Sequence, residues 1–204
     1  MKLCSVMVPT RKRVPRLLKT IESIRSTSKI ENVEILLRTD TDDSETATAC
    51  ADHFCADPSI RILTGPRLKG YESLDTFYNE LARISNAHWV LVLNDDITLE
   101  GNGWDEHLKR LPIENSLAWA RYYRLNNSLY TLPGCAFVCP FVPTSTWLNH
   151  KAATNPVDVY WQRVARKKKW RIRPVNLTIN HQRDNDTELA LHRLISPCTN
   201  PVPG

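Results

Sequence analysis

Four short apolar runs, "LCSVMV" (3–8), "VEILLR" (33–38), "IRIL" (60–63) and "WVLVL" (89–93), are separated by segments of a different period. Leu17, Leu18, Ile21 and Ile24 recur at helical spacing within Val14–Ser26. "TATACADHFC" suits a second helix, and Leu74, Phe77, Tyr78 and Leu81 mark a third. Strands that stay apolar without alternating are buried on both faces. Strands that alternate with helices must be joined by crossovers. The first half of the chain therefore predicts an α/β fold with a parallel sheet covered by helices.

The second half is less regular and richer in proline and tryptophan. "LAWARYY" and "GCAFVCPFV" read as further strands, 144–150 and 157–168 as helices, and 172–179 as a strand. Residues 1–195 are expected to form one domain, and "SPCTNPVPG" (196–204) a loosely held tail.

At 204 residues the chain can bury a real core, and its 42% apolar and 24% charged content is ordinary for a globular protein. No run approaches the ~20 apolar residues of a membrane span. "MKLCSVMVPT" is too short in its apolar part for a secretory leader, so a cytoplasmic protein without membrane contact is expected. Cys4, Cys50, Cys55, Cys135, Cys139 and Cys198 match no common zinc spacing and read as free thiols, most of them buried. The net charge of +5 is unevenly spread, because "RVARKKKWRIR" (163–173) holds seven basic residues and no acidic one. Such a run attracts phosphate, or simply suits the carboxyl end of a helix.

Ligands of open α/β sheets bind beyond the carboxyl ends of the strands. Here those ends carry Pro9-Thr10-Arg11, then Asp40, Asp42 and Asp43, then Arg67, Lys69 and Gly70, and finally Asn94-Asp95-Asp96. Adjacent carboxylates closing a buried strand repel each other and lose solvation, which a divalent cation relieves. Mg²⁺ or Mn²⁺ prefers such oxygens and bridges to phosphates, so the series points to a metal–diphosphate site. Plainer roles stand beside this one. Asp95 and Asp96 could cap a turn into "ITLEGNG". Asp158 could cap the helix that follows it, and Asp40, Asp42 and Asp43 are good turn formers. Tyr78 and Asn79 read as helix-packing residues.

On "SVMVPTRKR" with its following helix, "VEILLRTDTDD", "GYESLDTFYNELARISNAHWVLVLNDD", "VDVYWQRVA" and "INHQRDND", the chain resembles the nucleotide-sugar-dependent glycosyltransferases of the GT-A fold, specifically their family 2-like group. The resemblance implies a single GT-A domain with a Rossmann-like, mostly parallel central sheet flanked by helices. It also implies a metal-dependent, inverting transfer from a UDP-sugar to an acceptor hydroxyl, with Mn²⁺ or Mg²⁺ as cofactor. Carried over residue by residue, Pro9, Thr10 and Arg11 line the nucleotide pocket and Asp40 bonds the base. Lys69 and Gly70 approach the donor. Asp96 is the direct metal ligand; Asp95, nearer the ribose, and His181 hold the metal with it. Asp158 stands where inverting members keep their base. Asn94 replaces the first carboxylate of a strict DxD, which puts the weight of metal binding on Asp96.

In size and in its basic stretch the chain is similar in character to small phage glycosyltransferases that decorate hydroxymethylated pyrimidines in DNA. Arg166, Lys167, Lys168, Lys169 and Trp170 would then contact the acceptor. A saccharide or small-molecule acceptor fits the same motifs. Nucleotidyltransferases of similar fold usually carry a glycine-rich loop after the first strand, and "VPTRKRVPR" has no glycine. A non-catalytic nucleic-acid-binding module would explain the basic run and leave the aspartates at the strand ends without a role.

Overall fold

In chain order the elements are β1 (Lys2–Pro9), α1 (Val14–Thr27), β2 (Val33–Asp40), α2 (Ser44–Phe54), β3 (Ile60–Gly65), α3 (Leu74–Ile84) and β4 (Ala87–Val92). There follow β5 (Ile97–Glu100), α4 (Trp104–Leu108), β6 (Ser116–Leu125), β7 (Ser128–Thr131), β8 (Phe141–Pro143), α5 (Thr144–His150), α6 (Val157–Lys168) and β9 (Arg171–His181). This computed structural model describes residues 1–125, 128–131, 138–153 and 156–181. Among the described residues the strands form one sheet in the order β3-β2-β1-β4-β8-β6-β9-β5, with β7 paired to β6.

The first four of these strands are parallel, as the strand–helix alternation requires. Beyond β4 the sheet is mixed: β8 runs antiparallel to β4 and β6, β6 and β9 are parallel, and β5 is antiparallel to β9. The α/β class stands; the sheet is all parallel in its amino-terminal half and mixed beyond it.

Both sheet faces are covered, and period 2 along each strand divides the apolar residues between them. Val6, Val8, Ile35, Leu37 and Leu91 pack with Leu17, Ile21 and Ile24 of α1 and Phe54 of α2. Met7, Leu36, Val90 and Val92 face the other way, against Tyr78, Leu81 and Ala82 of α3 and the rings of Trp147 and Trp161. Each fully buried aliphatic side chain contributes about 1.5–3 kcal/mol.

Of the strand expected over "GCAFVCPFV", the described residues 138–142 contribute Phe141 and Val142 to β8. Cys139 has a positive φ of 56° and Pro140 lacks an N–H, so a ladder cannot continue through them. Residues 132–137, including Cys135, lie outside the described residues, as do 182–204 with Cys198 and the expected tail. Short β5, β7 and α4 were not expected from the sequence; Asp95 and Asp96 lie in a turn, and β5 follows it at Ile97. Cys4, Cys50 and Cys139 are buried and Cys55 is exposed, all as free thiols. Among the described residues no helix is long and apolar enough to cross a membrane.

Candidate active site

Strand β1 has β2 on one side and β4 on the other, so the strand order reverses at it, the switch point beyond whose carboxyl end open sheets of this kind bind their ligands. Register decides what meets there. Met7 pairs with Val92, and three residues further on Thr10 reaches Asp95, its hydroxyl donating to Oδ2 at 2.8 Å. On the other side Pro9, the last residue of β1, pairs with Arg38, and Asp40 ends β2.

His181 arrives from the opposite end of the sheet. The β5–β9 ladder pairs Ile97 with His181, which puts the imidazole Nε2 3.5 Å from Asp96 Oδ2. Its other ring nitrogen lies 2.9 Å from the Tyr123 hydroxyl. The two carboxylates differ in environment. Burial pushes Asp95 above the ordinary carboxylate range despite Thr10 and Arg13. Burial acts on Asp96 too, but the hydrogen bond and charge of His181, with the charge of Arg13, hold it below that range.

Asp96 Oδ1 is buried and has no hydrogen-bond partner. A carboxylate oxygen lacking a donor, next to an imidazole nitrogen, is a donor set that Mg²⁺ or Mn²⁺ accepts. Asp95 is committed elsewhere, Oδ2 to Thr10 and Oδ1 to Arg13 at 3.3 Å. Among the described residues no group of three or more His, Cys, Asp or Glu side chains is arranged to hold a metal ion. The chain thus offers Asp96 and His181, the arrangement suited to a cation whose remaining ligands are water and substrate phosphate.

The neighbouring rim is an ion-pair chain. Arg38 is 1% exposed, pairs with Asp40, donates to the Pro66 carbonyl and to Glu80 at 3.3 Å, and lies 3.9 Å from the centre of the Phe77 ring. Arg11 bonds Asp40 at 3.0 Å and also pairs with Asp42. Asp43 caps α2, accepting from Thr46, and also accepts from the Lys12 amide at 2.8 Å. Each of the three aspartates therefore has a partner. Lys69 and Gly70 stay on the same rim beyond β3, where the Lys69 amide donates to Ser73 and Gly70 has a φ of 61°.

Asp158 is the second residue of α6, not its cap, and its carboxylate accepts from the Val159 amide at 2.9 Å. Its charge, with that of Asp96, raises the Cys139 thiol, and both also raise the Tyr78 hydroxyl, each after the larger effect of burial. Asp158 and Asp96 thus act electrostatically on the same two side chains. Arg166, Lys167 and Lys168 are exposed in the last turn of α6, Lys169 is exposed at its cap, and Trp170 leads into β9 at Arg171. They are not brought to the carboxylates. β9 runs from that basic end to His181, a span of about 30 Å.

The profile of glycosyl transferase family 2 matches residues 5–183. The chain belongs to glycosyl transferase family 2. A search of curated proteins gives no match. Among solved structures, S. aureus TarS 1–349 in complex with UDP aligns with a TM-score of 0.67 at 12% identity, covering 96% of this chain and 64% of that one. TarS 1–349 in complex with UDP-GlcNAc aligns with a TM-score of 0.65 at 13% identity, covering 91% of this chain and 59% of that one. This family 2 chain thus spans less than two thirds of the TarS chains, and at such identity the likeness is one of fold.

Sequence reading missed three side chains of the site. Arg13 lies across Asp95 and Asp96. Tyr123 supports His181. Tyr78, read as packing, places its hydroxyl 2.9 Å from both the Leu93 carbonyl and Asn94 Oδ1, fixing the turn that carries the aspartates. Asn79 does pack, bonding Trp147 and both backbone groups of Ala152. A basic residue in a loop facing two carboxylates was the one available signal for Arg13.

Proposed function

We propose that this family 2 chain transfers a sugar from a UDP-sugar to an acceptor hydroxyl with inversion at the anomeric carbon. One observation carries the reading: Thr10, Asp40, Asp95 and Asp96 gather at the switch point where β1 parts from β2 and β4. Pro9, Thr10, Arg11 and Asp40 receive the nucleotide, and Lys69 with Gly70 closes on the donor from the β3 side. UDP is the nucleotide favoured, since the similar TarS structures hold UDP or UDP-GlcNAc.

Asp96 and His181 would hold Mg²⁺ or Mn²⁺, whose charge would offset the negative charge gathering on the departing nucleotide. Tyr123 orients the imidazole, and Asp95 stays with Thr10 near the ribose. Asp158 takes the proton from the acceptor hydroxyl, whose oxygen bonds to the anomeric carbon as the bond to the diphosphate breaks.

The acceptor we favour is a phosphate-bearing polymer, and hydroxymethylated pyrimidines in DNA meet that description. The basic end of α6 supports this, because it lies about 15 Å along the helix from Asp158. An acceptor short enough to fill only the catalytic cleft leaves Lys167–Lys169 without a role.

Transfer of labelled sugar from UDP-, GDP- and CDP-sugars to hydroxymethylated DNA and to neutral saccharides, with Mn²⁺ or with EDTA, tests the reading. UDP-dependent transfer to DNA that stops in EDTA is expected. Full turnover in EDTA removes the metal, and preference for GDP- or CDP-sugars removes the uridine assignment.

A further inference from the structure

Helix formation gives no reason for an arginine at position 13. The residue stands immediately before α1, where side chains that accept from the first helical amides are favoured, and it makes no capping bond. Its positive charge also faces the positive end of the helix dipole. What Arg13 does make is a double contact. Its Nη1 lies 3.3 Å from Asp95 Oδ1 and 3.5 Å from Asp96 Oδ2.

Exposure is unequal across this contact. The Asp95 and Asp96 side chains are 7% and 17% exposed, whereas that of Arg13 is 50% exposed. The carboxylates are fixed by the turn after β4; the guanidinium can swing into solvent without disturbing the core. A divalent cation held by Asp96 and His181 would place its charge on the same carboxylate that Arg13 faces. Two cations on one carboxylate repel each other, so metal binding weakens the Arg13 contact and the Arg13 contact weakens metal binding. A displaced guanidinium favours the nearest anion of matching geometry, and a diphosphate accepts such a fork.

We infer that Arg13 exchanges between two anions, neutralising Asp95 and Asp96 and then moving to the donor's diphosphate as the metal takes Asp96. This rests on the UDP-sugar reading above. It makes nucleotide and metal binding mutually reinforcing, since each removes the obstacle to the other.

Calorimetry of UDP and uridine binding to wild type, R13Q and R13K tests the diphosphate half, because uridine lacks the phosphates. R13Q should lose UDP affinity by about tenfold or more, the scale of one charge-assisted hydrogen bond, while uridine binding holds. R13K, which keeps the charge, should recover part of the loss. Mn²⁺ titration without nucleotide, followed by electron paramagnetic resonance, tests the carboxylate half. R13Q should bind Mn²⁺ more tightly than wild type does. UDP and uridine weakened by the same factor, or both unchanged, overturns the exchange. So does unchanged nucleotide-free Mn²⁺ affinity in a protein that binds Mn²⁺ together with UDP. If wild type binds no Mn²⁺ even with UDP, the metal part of the proposed function fails, and the UDP–uridine difference alone decides the role of Arg13.

Discussion

The Thr10 hydroxyl donates a 2.8 Å hydrogen bond to Asp95 Oδ2, with both residues buried. The bond ties the loop after β1 to the turn after β4 at the switch point. Thr10→Val keeps the shape and removes the donor, leaving a buried carboxylate oxygen short of a partner. We expect a stability loss of about 1–3 kcal/mol by urea unfolding at neutral pH, and recovery in Thr10→Ser. Asp95 already titrates above the ordinary range because it is buried, and losing Thr10 raises it further. The gap to wild type should narrow as pH falls and Asp95 protonates. A gap independent of pH would assign the loss to packing.

Asp40 has a structural duty that complicates its proposed contact with the base. Arg38 is fully buried and is paired with Asp40 and with the less buried Glu80. Removing one member of a buried pair costs about 3–5 kcal/mol, so Asp40→Ala should lower Tm by about 10 °C. Loss of UDP affinity in that variant therefore has to be read beside its melting curve. Asp40→Asn keeps an acceptor for Arg38 and is the cleaner probe of base recognition. If Asp40→Ala melts with wild type, Arg38 does not depend on this partner.

Asp43 joins helix capping to the loop after β1. Burial raises its carboxyl, but bonds from Thr46 and the Lys12 amide outweigh this and hold it below its ordinary value of 3.8. A carboxylate lowered by folding stabilises the protein above its unfolded value and loses that contribution as pH falls through the folded one. Asp43→Ala should cost about 0.5–2 kcal/mol near neutrality, and the difference should shrink below pH 3.8. Chemical unfolding across pH measures both. An increasing difference in acid would mean that Asp43 is not held as its bonds imply.

Local pattern made much of this fold readable. The spacing of Leu17, Ile21 and Ile24 fixed α1 closely, and the expected bounds 144–150 and 157–168 agree with α5 and α6. The polar residues at the ends of β1, β2 and β4 marked the rim, since buried strands end in such residues only where something faces them. What stayed hidden depends on partners distant in sequence. Four residues of β5 are too few to signal a strand, yet their pairing with β9 sets His181 beside Asp96. Arg13 looked like one of several cations until the turn after β4 was placed against it. The separation of Asp158 from the basic run was legible too, because the expected helix 157–168 sets them at its opposite ends.

That separation makes the last prediction specific. Asp158 and Lys168 stand at opposite ends of α6, about 15 Å apart. As the proposed base, Asp158 should affect chemistry alone: Asp158→Asn should lower turnover by about 10²–10⁴ with little change in UDP affinity. Full turnover in that variant removes the base. The lysines should affect acceptor binding alone, and only for acceptors long enough to reach them. Replacing Lys167, Lys168 and Lys169 by alanine should raise the KM of a long hydroxymethylated oligonucleotide and leave that of a single nucleotide unchanged. The salt dependence of the long acceptor should fall by roughly two to three in log–log slope, one counterion for each lost phosphate contact. Equal effects on long and short acceptors would place the lysines near the reacting centre, contrary to their position at the far end of α6. No effect on either would leave them as a solvated helix end and remove the phosphate polymer as acceptor.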